Sequence, residues 1–381
     1  MLSKSVFKFL ILLIVGCGVY SCKEQKRSNT TVNPINNQKA KVDTTFAKML
    51  IVDSLGVTGA DGVISFPLSN GNSVFMMGDS FLASVENQKR DPNCKMINNT
   101  FIEVNATGGK SFSKYHGSQH NPDALLKPNN GNPKEYYWPG HGFEYNGVLH
   151  VFMSRFKDRE DVDENGWKFE YQGADYLTLE KDTYKVITQE DFQFANSNGV
   201  HYGHSLLNEK DYTYIYGTKS EVEKTGLHVA RAVINENTNQ LGQFQFFDGA
   251  NWVSNEQESI KLKGIDKHVP EQFSVFKYKN KYVLVMQERG LHQGNIYSYI
   301  ADSPTGPWQN QRLLYHTTEQ ENKKYKIITY NAMAHPQFIK DNKLLISYCV
   351  NSLDVLDIHA VDVDYYRPKF IRVDMSYILD N

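Results

Sequence analysis

The sequence predicts an all-β fold: a five-bladed β-propeller forming a single domain behind an N-terminal targeting segment and a flexible tether. Three observations predict it. Five units repeat one strand–turn–strand layout, their spacing suits four strands plus loops, and no long helical periodicity competes.

At the N-terminus, Lys4 and Lys8 precede the apolar run Phe9 to Val15, and small residues lead on to Cys17 and Cys22. That order is a targeting signal rather than part of a fold. The run is also shorter than the roughly 20 residues of an ordinary membrane span. Ile14-Val15-Gly16-Cys17 and Val19-Tyr20-Ser21-Cys22 both resemble the bacterial lipobox, in which the cysteine after the cut becomes lipid-modified. Cys22 is favoured over Cys17 because the polar Lys23-Glu24-Gln25-Lys26 follows it at once. A plain secretory signal is the alternative. Residues 1–22 thus read as a lipoprotein signal peptide. Residues 23–43, rich in Asn, Lys, Gln, Thr and Ser, read as a disordered tether, and residues 44–381 as the propeller. The expected location is the bacterial cell envelope, with a membrane-anchored lipoprotein facing the periplasm or the cell exterior. Acyl chains contribute about 0.8 kcal/mol per buried CH₂, so several on one cysteine hold a soluble domain at a membrane.

The formal charge is -2, with 41 basic against 43 acidic residues, which gives no electrostatic reason to expect nucleic acid. A monomer is expected. Beyond the signal, Cys94 and Cys349 either pair in an oxidising compartment or stay as buried thiols. No CxxC, HExxH or clustered His/Cys spacing occurs, so neither a metal site nor a cofactor is expected. A calcium ion on the axis is compatible with the fold, although no ligand spacing marks one. The 23 Tyr, 21 Phe and 4 Trp suit strands, and their rings also offer apolar faces to a sugar.

The five units run in order along the chain. Gly59 to Phe66 turns at Asn70-Gly71-Asn72 into Val74 to Met77. Pro139 to Tyr145 turns at Asn146-Gly147 into Val148 to Phe152, the strongest hairpin signal of the set. Tyr202 to Leu207 leads into Tyr212 to Tyr216, Glu271 to Phe276 into Tyr282 to Met286, and Ala334 to Ile339 into Leu344 to Tyr348. His141 to His204 spans 63 residues, His204 to Gln272 spans 68, and Gln272 to His335 spans 63, whereas Asp61 to His141 spans 80. The first unit therefore carries an insertion. Such a period is one propeller blade.

In that fold, residues near the start of each innermost strand converge at one mouth. They are Asp61, His141, His204, Glu271 or Gln272, and His335. Local turn and cap duties are the alternative reading of this polar set. A ring of polar groups binds hydroxyl-rich ligands, whereas cleavage needs paired carboxylates with one of them protonated. Asp61, in Gly-Ala-Asp-Gly, and Asp79, at the end of an apolar strand where desolvation raises its pKa, are the first candidates. Glu271 is the third, with Glu288 weaker. Trp138, Asn98, Asn99, Arg231, Tyr330, Asn331 and Asn351 fit binding, although each has an ordinary structural reading as well. The leading expectation is a glycoside hydrolase acting on an extracytoplasmic polysaccharide or oligosaccharide. A non-catalytic glycan-binding lipoprotein and an interaction propeller are the alternatives. A lyase ranks below hydrolysis because no cationic cluster for a uronate carboxyl stands out.

Ala301 to Trp308 resembles the SPxGPW segment of five-bladed propeller glycosidases such as the arabinanase and xylosidase families. The chain more specifically resembles domain-of-unknown-function family 5005. The matching stretches are Asp61-Gly62 with Gly78 to Leu82, Tyr137 to Gly142, His335-Pro336, Ser347 to Asn351, and Tyr366 to Phe370. That family tends to have aspartate where this chain has His141. A similar family, 4185, includes endo-D-arabinanases of glycoside hydrolase family 183, whose paired N-terminal aspartates resemble Asp61 and Asp79. This superfamily-level resemblance implies inverting hydrolysis.

Overall fold

In the computed structural model, residues 39–105, 109–160, 168–221, 224–290, 293–353 and 361–380 are described. The N-terminal segment expected to be a signal, with Cys17 and Cys22, lies outside them. Five antiparallel sheets follow one another along the chain. The first is Ile64–Pro67, Ser73–Met77, Thr100–Val104 and Ser111–Lys114. The second is Glu135–Tyr145, Val148–Asp158, Phe169–Glu180 and Val186–Asp191. The third begins with His201–Asn208 and Thr213–Ser220, continues through Thr225–Asn235 and Gln240–Phe247, and adds a short fifth strand, Trp252–Val253. The fourth is Ser274–Tyr278, Lys281–Gln287, Asn295–Ala301 and Gln309–His316. The fifth is Ile327–Lys340, Lys343–Ser352, Lys369–Asp374 and, from the other end of the chain, Ala40–Val42.

The local sequence explains the hairpins. Asn146 and Gly147 both take positive φ (48° and 76°), and Tyr145 pairs with Val148, so the two-residue turn matches the strand twist. The second strands are apolar on both faces: every residue of Ser73–Met77 is buried, as are Val283 to Met286 and Leu344 to Ile346. A strand reads as a continuous apolar run when sheets cover it on both sides. The first strand of each sheet touches the first strand of the next, and that of the fifth touches that of the first.

One expectation changes here, and one open alternative is decided. Residues 40–42 belong to a strand rather than to the tether, pairing Ala40 with Val373 and Val42 with Ile371. Val42 is 59% exposed, so the segment carries no apolar pattern for a sequence to reveal. Asp43 then caps the helix Thr44–Leu50, whose Phe46 packs on Phe75, Phe338 and Phe370. Cys94 and Cys349 are free thiols, so no disulfide joins them, and Cys349 is buried.

Candidate active site

The insertion in the first unit builds a small three-stranded sheet, Gly59–Ala60, Ser80–Phe81 and Met96–Ile97. Its register pairs Ala60 with Ser80 and Ser80 with Ile97. The next residues along this row are Asp61, Asp79 and Asn98. Opposed positions on antiparallel strands set their Cβ atoms about 4.5–5.5 Å apart. The Asp61 amide donates to the Asp79 carbonyl (3.3 Å) and the Gly78 amide to the Asp61 carbonyl (2.8 Å). Two residues thus face one, as in a β-bulge. A Cβ on Gly78 would lie 2.4 Å from Asp61 Oδ1, so only glycine leaves the carboxylate room. Gly78→Ala should therefore displace Asp61, costing about 1–3 kcal/mol of stability by overpacking. Thermal melting of that variant checks it. A variant as stable as the parent would show that Asp61 needs no such exact seat.

Neighbouring sheets hold the two carboxyl groups. Tyr330 donates its hydroxyl hydrogen to Asp61 Oδ2 (2.7 Å), and Asn351 Nδ2 donates to the Tyr330 oxygen (3.1 Å). Trp138 Nε1 donates to Asp79 Oδ1 (2.8 Å), Asn98 Nδ2 donates to the same oxygen (3.2 Å), and Tyr366 donates to the Asp79 carbonyl (3.1 Å). Tyr330 and Trp138 each lie where a first strand slips register, between Tyr330 and Met333 and just before Pro139–Gly142. Bulges re-aim side chains, and these two aim aromatic donors at the aspartates. Trp138 also packs against Tyr136, Phe156 and Phe169.

Burial pushes Asp61 up to about 6, outweighing the lowering effect of Tyr330. Burial and then the charge of Asp61 push Asp79 up to about 7, against Trp138 and Asn98. Two close carboxyl groups that interact this way titrate as a pair and share a proton near neutrality. Burial and the charge of Asp61 also keep Tyr330 protonated, so it remains a donor.

Gln272 lies nearby: its amide nitrogen is 3.5 Å from the Cβ that Gly62 lacks, and its buried oxygen has no hydrogen-bond partner. His141 is half-buried, with Nδ1 unpartnered, and burial lowers it to about 4. Asn331 occupies the fifth-sheet bulge at φ 55°.

Other candidates are engaged elsewhere. Asn99 is fully buried. Its amide donates to the Leu126 and Tyr137 carbonyls, and its oxygen accepts from the Leu126 amide, so it ties a loop. Its neighbour Asn98 is the one that reaches Asp79. His335 lies mid-strand, because its strand begins at Ile327. Both ring nitrogens meet serines, Ser65 at 2.6 Å and Ser347 at 2.9 Å, beside the Phe75 ring. Arg231 is on the third strand of its sheet, sandwiched by Tyr212 (3.9 Å) and Trp252 (4.4 Å) and hydrogen-bonded to Gln245. Glu271 shares no partner with the aspartates: it meets His204, Thr218 and Arg289. Partial burial opposes its ionisation, but the contact with His204 and the charge of Arg289 hold it down to about 2, which favours the ionised form.

The concavities fit this picture only in part. One of about 560 Å³ lies against the helix Thr44–Leu50, between Lys48 and Arg367, and includes neither aspartate. A smaller one, about 250 Å³, is lined by Asn98 and Tyr136 beside Asp79.

The model of the family described as "Domain of unknown function (DUF5005)" matches residues 43–376. No curated protein sequence matches the chain. Among solved structures, a provisionally named hydrolase from Bacteroides ovatus is 19% identical, with a TM-score of 0.71 over 88% of this chain and 90% of its own. This likeness establishes a shared fold. A GH43_1 enzyme from Xanthomonas citri bound to xylose is 12% identical, covering 87% of this chain and 92% of its own at a TM-score of 0.49. A xylan beta-1,4-xylosidase from Bacillus halodurans is 11% identical, covering 79% and 51% at 0.47.

Proposed function

The chain belongs to the DUF5005 family, and from that premise we propose that it is an extracytoplasmic glycoside hydrolase acting on a polysaccharide or oligosaccharide. The carrying observation is the Asp61–Asp79 pair, opposed across two strands and held at raised pKa by burial. Five sheets whose first strands touch in a circuit support reading the scaffold as a five-bladed propeller with the pair at its mouth.

The roles follow from the hydrogen bonds. Trp138 and Asn98 both donate to Asp79 Oδ1, leaving Oδ2 to carry the proton that a departing glycosidic oxygen needs. Asp61, held by the Tyr330 hydrogen bond, acts as the base that activates water, and an inverted product is what the resemblance to the family 4185 arabinanases implies. Gln272 and His141 supply neutral polar contacts for sugar hydroxyls. Cys22 carries the lipid that holds the domain at the envelope as a monomer.

Purified polysaccharides incubated with the wild-type chain should release reducing ends whose first-formed anomer is inverted by proton NMR. The double variant Asp61→Asn, Asp79→Asn should bind the same glycan and release none. Binding without turnover in the wild type would replace the hydrolase with a glycan-binding lipoprotein. Fractionated cells should move the Cys22→Ser protein from membrane to soluble fraction; an unmoved protein would refute the anchor.

A further inference from the structure

A second cluster of chemistry-bearing groups lies at the junction of the third and fourth sheets. His201 and His204 both lie in the strand His201–Asn208. In a regular strand, residues three apart point to opposite faces. Here Tyr202 pairs with Gly217 and Ser205 with Tyr216, which leaves Gly203 and His204 as extra residues, with Gly203 at φ 98°. This bulge turns both imidazoles toward one point, where Glu271 arrives just ahead of the strand Ser274–Tyr278.

We propose that His201, His204 and Glu271 form a three-ligand site for a zinc-class divalent cation with one open coordination position. Their donor atoms all lie within 4.8 Å of one another. His204 Nε2 is 3.4 Å and His201 Nδ1 4.0 Å from Glu271 Oε2. Bonds of about 2.0–2.1 Å in tetrahedral geometry place neighbouring ligand atoms roughly 3.3–3.4 Å apart, so closing the triad on an ion needs only small side-chain shifts. Two imidazoles and a carboxylate are the donor set of a zinc site that keeps a position free.

An independent observation points to a ligand. His204 is 7% exposed, and its Nε2 aims into the triad without a hydrogen-bond partner. A buried nitrogen held only by a long 3.4 Å contact to Glu271 is under-satisfied, and a cation supplies what it lacks. The surroundings fix the ligands in place. His201 stacks on Tyr171 with ring centroids 4.0 Å apart, Thr218 donates to Glu271 Oε2 (3.0 Å), and Arg289 steadies Oε1 (3.5 Å). Such outer contacts orient metal ligands. The His201 and Glu271 side chains are 30% and 42% exposed, which leaves an entry path and a solvent-facing position for water or a sugar hydroxyl.

The untagged mature protein, stripped with chelator, should take up one zinc ion per chain by calorimetry. Crystals should give an anomalous peak at the zinc edge, about 2.0–2.2 Å from the three donor atoms. His201→Asn and Glu271→Gln should each weaken zinc binding at least tenfold while keeping the near-UV circular dichroism of the parent. His201 is only half-buried, so its variant keeps the test sound even if Glu271→Gln unfolds. Absence of zinc binding in the wild type would overturn the site and leave an ion-pair cluster around Glu271. Equal affinity in wild type and variants would overturn it too, placing the ion elsewhere.

Discussion

Replacing Asp79 with Asn should lower kcat by about 10²–10⁴-fold, the range expected when general-acid assistance is lost. The substitution keeps the shape of the side chain and an oxygen to accept from Trp138 or Asn98, so glycan affinity should change little. Stability should move the other way. Burial raises the Asp79 carboxyl from 3.8 to about 7 in the folded chain. The stability of its protonated form is fully present below about pH 4 and is lost as pH rises through 7. Asn carries no charge to bury. Its variant should therefore melt a few degrees higher than the parent at pH 8, a gap that closes toward pH 4. A catalytic group is often held at such a cost. Unchanged kcat would remove Asp79 from the chemistry, and an unchanged melting difference across this range would remove the burial argument.

The second large effect is on pH. In the proposed mechanism, turnover requires Asp61 ionised and Asp79 protonated. The kcat/KM profile should climb as pH rises through about 6 and fall beyond about 7, giving a narrow bell. The two apparent values belong to the pair and not to either residue alone. The Tyr330 hydrogen bond lowers Asp61. Tyr330→Phe should therefore shift the acid limb upward and squeeze the bell, with a smaller effect on the alkaline limb. Stopped assays in overlapping buffers from pH 4.5 to 8.5 measure both. A flat profile over that span would rule out the shared proton.

What the sequence made legible, and what it did not, follows from which signals are periodic. Alternation and turn residues are local, so the five strand–turn–strand units and the Asn146-Gly147 hairpin could be read directly. Asp61 and Asp79 could be singled out as candidates for a related reason: glycines mark close backbone approach, and an acid ending an apolar strand is desolvated. Bulges leave no such trace. The fifth unit was aligned on His335, yet its strand slips at Asn331 and Ala332, so Tyr330 reaches the site while His335 stays between two serines. The same blindness hid the convergence of His201 with His204. Asn98 and Asn99 differ by one position, and the strand pleat alone decides that the first meets Asp79 and the second a loop. The insertion looked like a loop because its strands are two residues long.

The pairing of Ala40–Val42 with Lys369–Asp374 has a mechanical consequence. The fifth sheet is completed only when Ala40–Val42 meets Lys369–Asp374, so a chain emerging vectorially from its amino end cannot finish this sheet until that distant segment is also free. Any load applied upstream of Ala40 also falls first on this three-residue clasp. Asp43 reinforces it through a 2.7 Å ion pair with Arg372, and its amide N–H donates a hydrogen bond to the Phe370 carbonyl. Peeling there would unlatch the outermost strand and expose an edge of the fifth sheet before the strands around Asp61 felt the force.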